Sequence, residues 1–176
     1  MAAKPRSENV LGPIVSSAHL ASGAMPALSE LEFGMILLDH AFERWMVRCM
    51  AAAGVPDLSP LDVLVLHTIA HRSRSKRVAD ICLVLNIEDT HLVTYSLKKL
   101  DAHRLLTTAK RGSEKTVNLT PKGNEVVQRY RKVREALLVK SVKSAGLDEQ
   151  QLSEIAGLMR ALSGHYDQAA RAAASL

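Results

Sequence analysis

The stretch VADICLVLNIEDTHLVTYSLKKL, residues 78–100, decides the fold. Val78, Ile81, Cys82 and Leu85 recur at helical spacing, so the first eight residues form a short amphipathic helix. Asn86-Ile87 reads as a turn. Glu88 or Asp89 then opens a second helix, since a carboxylate there satisfies free backbone N–H groups and faces the positive helix end. Along it Val93, Ser96, Leu97 and Leu100 turn inward, which leaves Thr90, His91, Thr94, Tyr95 and Lys98 outward. Two short helices joined by so brief a turn form a helix-turn-helix, whose second helix has the width to lie in a DNA major groove.

The flanks extend this core into a winged module. Upstream, Ser59-Pro60 starts a helix, with Ser59 as cap, Pro60 in the first turn and Asp62 near the positive end. Leu61, Leu64, Val65, Thr68 and Ile69 give its inner face, and Arg72, Arg74, Lys76 and Arg77 follow as a basic loop. Downstream, Arg104-Leu105-Leu106 leads into a short strand through Ala109 and Arg111-Gly112-Ser113 turns. Lys115 to Leu119 alternates as a second strand, so the segment is a β-hairpin.

Long helical patterns surround the module. Residues 1–26 mix Pro, Gly, Ser and Ala without period and read as a partly ordered arm. After Pro26, with Ser29 as N-cap, Leu31, Met35, Leu38, Phe42, Trp45 and Cys49 recur at helical spacing. Ile36, Leu37, Met46 and Met50 widen that stripe beyond one face, which a subunit interface would cover; Gly54 and Pro56 end the helix. Thr120-Pro121 opens a helix to about residue 145, and Asp148-Glu149 opens the last one, with Leu152, Ile155, Leu158, Met159, Leu162 and Tyr166 inside. The expected organisation is mainly α: an arm (1–26), a dimerisation helix (27–56), a winged helix-turn-helix with a small hairpin wing (57–123), and C-terminal dimerisation helices (124–176).

Composition agrees with helix. The 176 residues are 47% hydrophobic but only 3% aromatic, so Leu, Val, Ala, Ile and Met build the core. The formal charge of +5 suits an anionic partner or a solvated basic surface equally well. Cys49 and Cys82 lie in apolar helical patterns without a paired framework, which suits a reducing cytoplasm; each is a small core residue or a thiol sensor. The apolar run from Val10 to Val15 is broken by Gly12 and Pro13, too short for a secretory leader. His67 and His71 are four apart, but no HExxH glutamate or third ligand accompanies them, so no metal site is expected. Phosphate-binding glycine loops, nucleophile elbows and paired carboxylates are missing from the sequence pattern, and neither catalysis nor a cofactor is expected.

Four segments taken in order carry a family resemblance. Ser59-Pro60-Leu61-Asp62-Val63-Leu64-Val65-Leu66, Val78-Ala79-Asp80-Ile81-Cys82 and Val93-Thr94-Tyr95-Ser96-Leu97-Lys98-Lys99-Leu100 resemble the second, third and recognition helices of the MarR family of bacterial winged-helix regulators. Leu119-Thr120-Pro121-Lys122-Gly123 resembles the family's Leu-Thr-x-x-Gly signature after the wing. The match covers the central module; the flanking helices agree in length and order only. Three departures stand out: no Asp-x-Arg in the wing, no Gly after the recognition helix around His103-Arg104, and Tyr95 where a basic residue is frequent.

The resemblance implies a homodimeric, sequence-specific regulator of transcription that binds double-stranded DNA and responds to a ligand or stress. Thr90, His91, Thr94, Tyr95 and Lys98 would meet the major groove, Arg74 and Lys76 phosphates, and Arg111, with Lys110 and Lys115 behind it, the minor groove or phosphates. An aromatic or phenolic effector would lie near Trp45, His67 and His71. Leu31, Met35, Leu38 and Phe42, with Leu158 and Leu162, would build the dimer. The alternative is an adaptor that uses the winged module to dock a protein.

Overall fold

A computed structural model describes residues 12–111 and 114–176. Helix α1 runs Pro26–Ala52, one turn earlier than a Ser29 cap requires. Ser29 is buried inside it, and its hydroxyl donates to the Leu20 carbonyl at 2.9 Å. The Ile14 N–H donates to Glu30 Oε1 at 2.9 Å, so the chain ahead of α1 is held to its first turns. A buried hydroxyl with a carbonyl in reach satisfies itself there rather than by capping. At the other end Gly54, at φ +94°, closes α1. Its N–H bonds the Ala51 carbonyl and the Val55 N–H bonds the Met50 carbonyl, a Schellman closure.

Helix α2 (Pro60–Ala70) begins at the expected capping box: the Ser59 N–H donates to Asp62 Oδ2 at 2.8 Å and the Asp62 N–H to Ser59 Oγ at 3.3 Å. It is the hub, packed by α1, by the helices at 78–85 and 90–102 and by the strand at 114–119. Val63, Val65, Leu66 and Ile69 are buried, whereas Leu61 and Leu64, expected on the inner face, are only half-buried. A helix covered on most sides has no single apolar stripe, and its period misleads.

A tight turn at His71–Ser73, with Arg72 at φ 58°, leads to a strand that the sequence pattern conceals, β1 (Lys76–Arg77). Helix α3 (Val78–Leu85) follows and closes on left-handed Asn86, where the Ile87 N–H reaches the Cys82 carbonyl. Helix α4 (Thr90–Ala102) is capped by Asp89, whose carboxylate accepts the His91 N–H at 2.8 Å.

Strands β2 (Leu106–Arg111) and β3 (Glu114–Leu119) pair antiparallel from Leu106↔Leu119 to Arg111↔Glu114. Both are longer than the sequence suggests, and the expected turn residues Gly112 and Ser113 lie outside the described residues. Strand β1 adds to β3 with Lys76 opposite Val117, giving the order β1-β3-β2.

Helix α5 (Pro121–Arg134) passes into a π turn at Glu135–Val139 and then into α6 (Lys140–Ser144). Gly146, at φ 79°, turns the chain, and Asp148 and Gln151 form the capping box of α7 (Glu149–Ala173). The chain divides at Val127/Gln128 into two compact units. Met50, Leu66, Ile69, Ile81, Val93, Leu100 and Leu105 fill the core of the first, each fully buried aliphatic contributing about 1.5–3 kcal/mol. Cys49 and Cys82 are buried there. Among the described residues no helix is long and apolar enough to cross a membrane.

Candidate nucleic-acid interface

Helix α4 divides as its spacing predicts. Val93, Ser96 and Leu100 are buried and Leu97 is half-buried. Thr90, His91, Thr94, Tyr95 and Lys98 are exposed, with Tyr95 at 71% the most open aromatic side chain. The Thr94 hydroxyl donates to the Thr90 carbonyl at 2.9 Å, which fixes its rotamer and leaves its methyl outward. This surface offers hydroxyls, an imidazole and a phenol, with one full cation at its C-terminal end. Such groups can meet base edges and phosphates, and a single Lys gives little sequence-independent attraction by itself.

The second cation of the Lys98-Lys99 pair turns the other way. Lys99 Nζ lies 3.1 Å from Oδ2 of Asp62, whose side chain is 1% exposed. Burial alone would raise the Asp62 carboxyl. The Ser59 N–H, the Ser96 and Ser59 hydroxyls and the Lys99 ammonium outweigh burial and hold it below the usual carboxylate range. Asp62 therefore caps the hub helix and tethers the recognition helix with the same carboxylate. The sequence shows only the first of these roles, because Lys99 lies far along the chain.

Leu119-Thr120-Pro121-Lys122-Gly123 is a joint rather than a contact surface. The Thr120 hydroxyl accepts the Gly123 N–H at 3.0 Å, capping α5, and donates to the Arg104 carbonyl at 2.8 Å. The Thr120 N–H donates to the Leu105 carbonyl at 3.0 Å, and Lys122 Nζ to the His103 carbonyl at 2.9 Å. Gly123 packs on the Leu105 carbonyl oxygen so closely that a Cβ would collide with it. The start of α5 is thus fastened to the end of α4. Where a glycine is usual, Arg104 takes φ +60° and completes another Schellman closure, with the Leu105 N–H on the Leu100 carbonyl.

The basic loop is less uniform than its composition. Arg74 is exposed. Lys76, expected at phosphate, is buried, and its ammonium donates to the His71 carbonyl at 2.7 Å and the Arg74 carbonyl at 3.2 Å. Three backbone and side-chain demands meet there: a strand position facing inward, a tight turn, and carbonyls without helix partners. Arg77 grips Asp80 through two nitrogens, at 2.8 and 3.1 Å, and its hydrogen bonds lower the Asp80 carboxyl to about 2. In the wing, Lys115 is exposed on β3, opposite Lys110, and the backbone of Arg111 ends β2.

The residues expected around an effector differ in their surroundings. Trp45 is half-buried on α1. His67 is half-buried on α2, and burial lowers its imidazole below the usual range. His71 is exposed and lies past the end of α2, so the helical i, i+4 relation fails. Among the described residues no group of three His, Cys, Asp or Glu side chains could hold a metal. A cavity of about 490 Å³ lies elsewhere, in the second unit, lined among others by Arg134, Leu138, Val142, Lys143, Leu147 and Leu152. Of the residues assigned to an interface between subunits, Leu38, Phe42 and Leu158 are exposed within the chain, and Leu31, Met35 and Leu162 are half-buried.

Residues 58–123 match the winged helix DNA-binding domain family. Solved structures match over the greater part of the chain. A MarR family regulator from Neisseria meningitidis superposes with a TM-score of 0.66 at 16% identity, over 81% of this chain and 95% of that one. MarR of Staphylococcus aureus, solved with salicylate and kanamycin, gives 0.63 at 19% identity, over 84% and 98%. CouR of Rhodococcus jostii RHA1, bound to p-coumaroyl-CoA, gives 0.63 at 10% identity, over 75% and 90%. A comparison with curated protein sequences returns no significant match. The domain at 58–123 thus belongs to the winged helix DNA-binding class. The chain around it carries the fold of the MarR-family transcriptional regulators.

Proposed function

We propose that this protein is a sequence-specific, double-stranded DNA-binding regulator of transcription, acting in the cytoplasm as a homodimer. The observation that carries the reading is the face of α4: Thr90, His91, Thr94, Tyr95 and Lys98 stand clear on a helix that is capped, tethered and flanked by an extended wing. Thr94 and Tyr95 suit base edges, Lys98, Arg74 and Lys115 suit phosphates, and Arg111 at the wing suits a minor groove. Lys76 is removed from this set, since its ammonium serves the loop. Two copies joined through Leu31, Met35, Leu38, Phe42, Leu158 and Leu162 would place two such helices on half-sites one helical turn apart.

An aromatic or phenolic effector near Trp45 and His67 would act by altering the spacing between the two modules. The salicylate of the Staphylococcus protein and the p-coumaroyl group of the Rhodococcus one support that class of molecule. Selection of binding sites from random duplexes tests the main reading. A palindromic consensus is expected, with affinity that falls as salt rises and is lost in Lys98→Ala plus Arg111→Ala. Binding that ignores sequence would overturn it.

One observation favours the adaptor instead. Leu83 and Val84 at the end of α3 are 83% and 69% exposed, an apolar surface beside the helix-turn-helix turn that a protein partner would cover. Absent DNA selection together with a partner lost on Leu83→Asp would establish that role.

A further inference from the structure

The buried carboxylate of Asp62 and the ammonium of Lys99 join the two helices that matter most for reading DNA. We infer that this pair is a specificity-determining device: it sets the rotation of α4 about its own axis, and so decides which side chains reach base edges. The inference rests on the DNA-binding reading above.

Helix α4 is packed by α2, α3 and β2, and the turn after it is fastened by Thr120 and Lys122. Its buried residues, Val93, Ser96 and Leu100, lie along one narrow line. Such a line resists withdrawal of the helix but opposes rolling only weakly, because Ser96 is small and Leu97 is half-exposed. Lys99 lies about 90° around the helix from that line, on a flank where Leu92 is also largely exposed. Its tie to Asp62 pins that flank at 3.1 Å.

The anchor on the other side is rigid. Asp62 is fixed by the Ser59 N–H in the capping box of α2, the hub of the first unit, and the buried Ser96 hydroxyl stands beside it. Asp62 thus makes one rigid point for α2 and α4 together. A roll of about 20° carries a side-chain tip lying ~6 Å from the axis through about 2 Å. That displacement breaks a bidentate contact with a base but leaves a flexible Lys within reach of phosphate.

A buried ion pair is also a poor stabiliser for its cost. Desolvating the carboxylate consumes much of its attraction to Lys99, and such pairs serve best where they select one arrangement among several. Lys99 keeps 31% of its side-chain surface, so its replacement need not collapse the core.

The experiment measures affinity for the selected site and for an unrelated duplex in the full-length protein, comparing wild type, Lys99→Gln, Lys99→Arg and Asp62→Asn plus Lys99→Met. Lys99→Gln and the double variant are expected to lose about tenfold or more of the ratio between the two affinities, the scale of one lost base pair contact. Binding to the unrelated duplex and its salt slope should stay as in wild type, and Lys99→Arg should restore the ratio. The double variant also removes the burial cost of a lone carboxylate; if it fails to fold, Lys99→Gln decides alone. Equal ratios in wild type and in the folded variants would overturn the inference while leaving the regulator standing. A wild type without a preferred duplex would overturn both.

Discussion

Gly123 rests against the carbonyl oxygen of Leu105 with no room for a side chain between them. The contact lets the first turn of α5 sit directly on the strand that leaves the recognition helix. Gly123→Ala must push that turn away, straining the Thr120 bonds to Leu105 and Arg104. Alanine favours helix by about 1 kcal/mol over glycine, yet overpacking costs about 1–3 kcal/mol, so net destabilisation is expected. A fall in the urea midpoint checks this; a rise would show that the joint yields.

Arg104 supplies the opposite case. It holds the left-handed conformation after α4 at φ +60° with its side chain exposed. Arg104→Gly relieves about 1–2 kcal/mol of steric cost and gives back part of it as unfolded-state entropy. A gain of about 0.5–1 kcal/mol in thermal or denaturant unfolding is expected, with the backbone unchanged.

Acid should weaken the fold in two steps. The His67 imidazole is lowered from 6.5 by burial, so the folded state resists a proton that the unfolded state accepts. Its stability is full above 6.5 and drains away as pH falls below that value. His67→Gln should flatten this first step in denaturant midpoints measured from neutral to mildly acidic buffer. The second step belongs to Asp62. Its folded carboxyl lies below the ordinary 3.8, so its contribution is present above that value and is lost as pH falls through the folded one.

These residues also show what the sequence made legible. Ser59-Pro60 with Asp62, Asp89, Thr120-Pro121 and Asp148 are local stop and start signs whose partners lie within three residues, and the helices begin where those signs stand. Lys76 and Lys99 were not legible, since a Lys that turns inward to a carbonyl or a distant carboxylate looks in sequence like any surface cation. Strand β1 is two residues long and has no period to detect. The outward face of α4 was readable because a helix with only a narrow buried line leaves a clean remainder. Neither Trp45 with His67 nor an effector could be tied to one cavity by spacing alone.

The wing and the recognition face should separate in salt. Lys115→Ala removes an exposed cation from β3 and should weaken all duplexes alike, reducing the slope of log affinity against log salt by about 0.9. Thr94→Ala should instead leave the slope intact and cost about 1–3 kcal/mol at one base pair of the site. Identical behaviour of the two variants would contradict the division of labour.

Leu38 and Phe42 are 56% and 46% exposed on α1, a large apolar area for one chain to leave in water. Leu38→Asp should give monomers or unfolded protein by sedimentation, and a folded dimer would place the subunit contact elsewhere.

The π turn at Glu135–Val139 carries one residue more than an α-helical turn would need. It therefore acts as a register shift within a continuous helix. A chain shortened by Ala136 would close an ordinary turn. Every residue from Lys140 onward would then keep nearly the direction and height it has now relative to residues 128–134, because four α-helical residues turn by about 400° and rise by about 6 Å, close to what the five wider residues give. The turn thus takes up a residue inserted at this one place and leaves the faces of the following helix as they were.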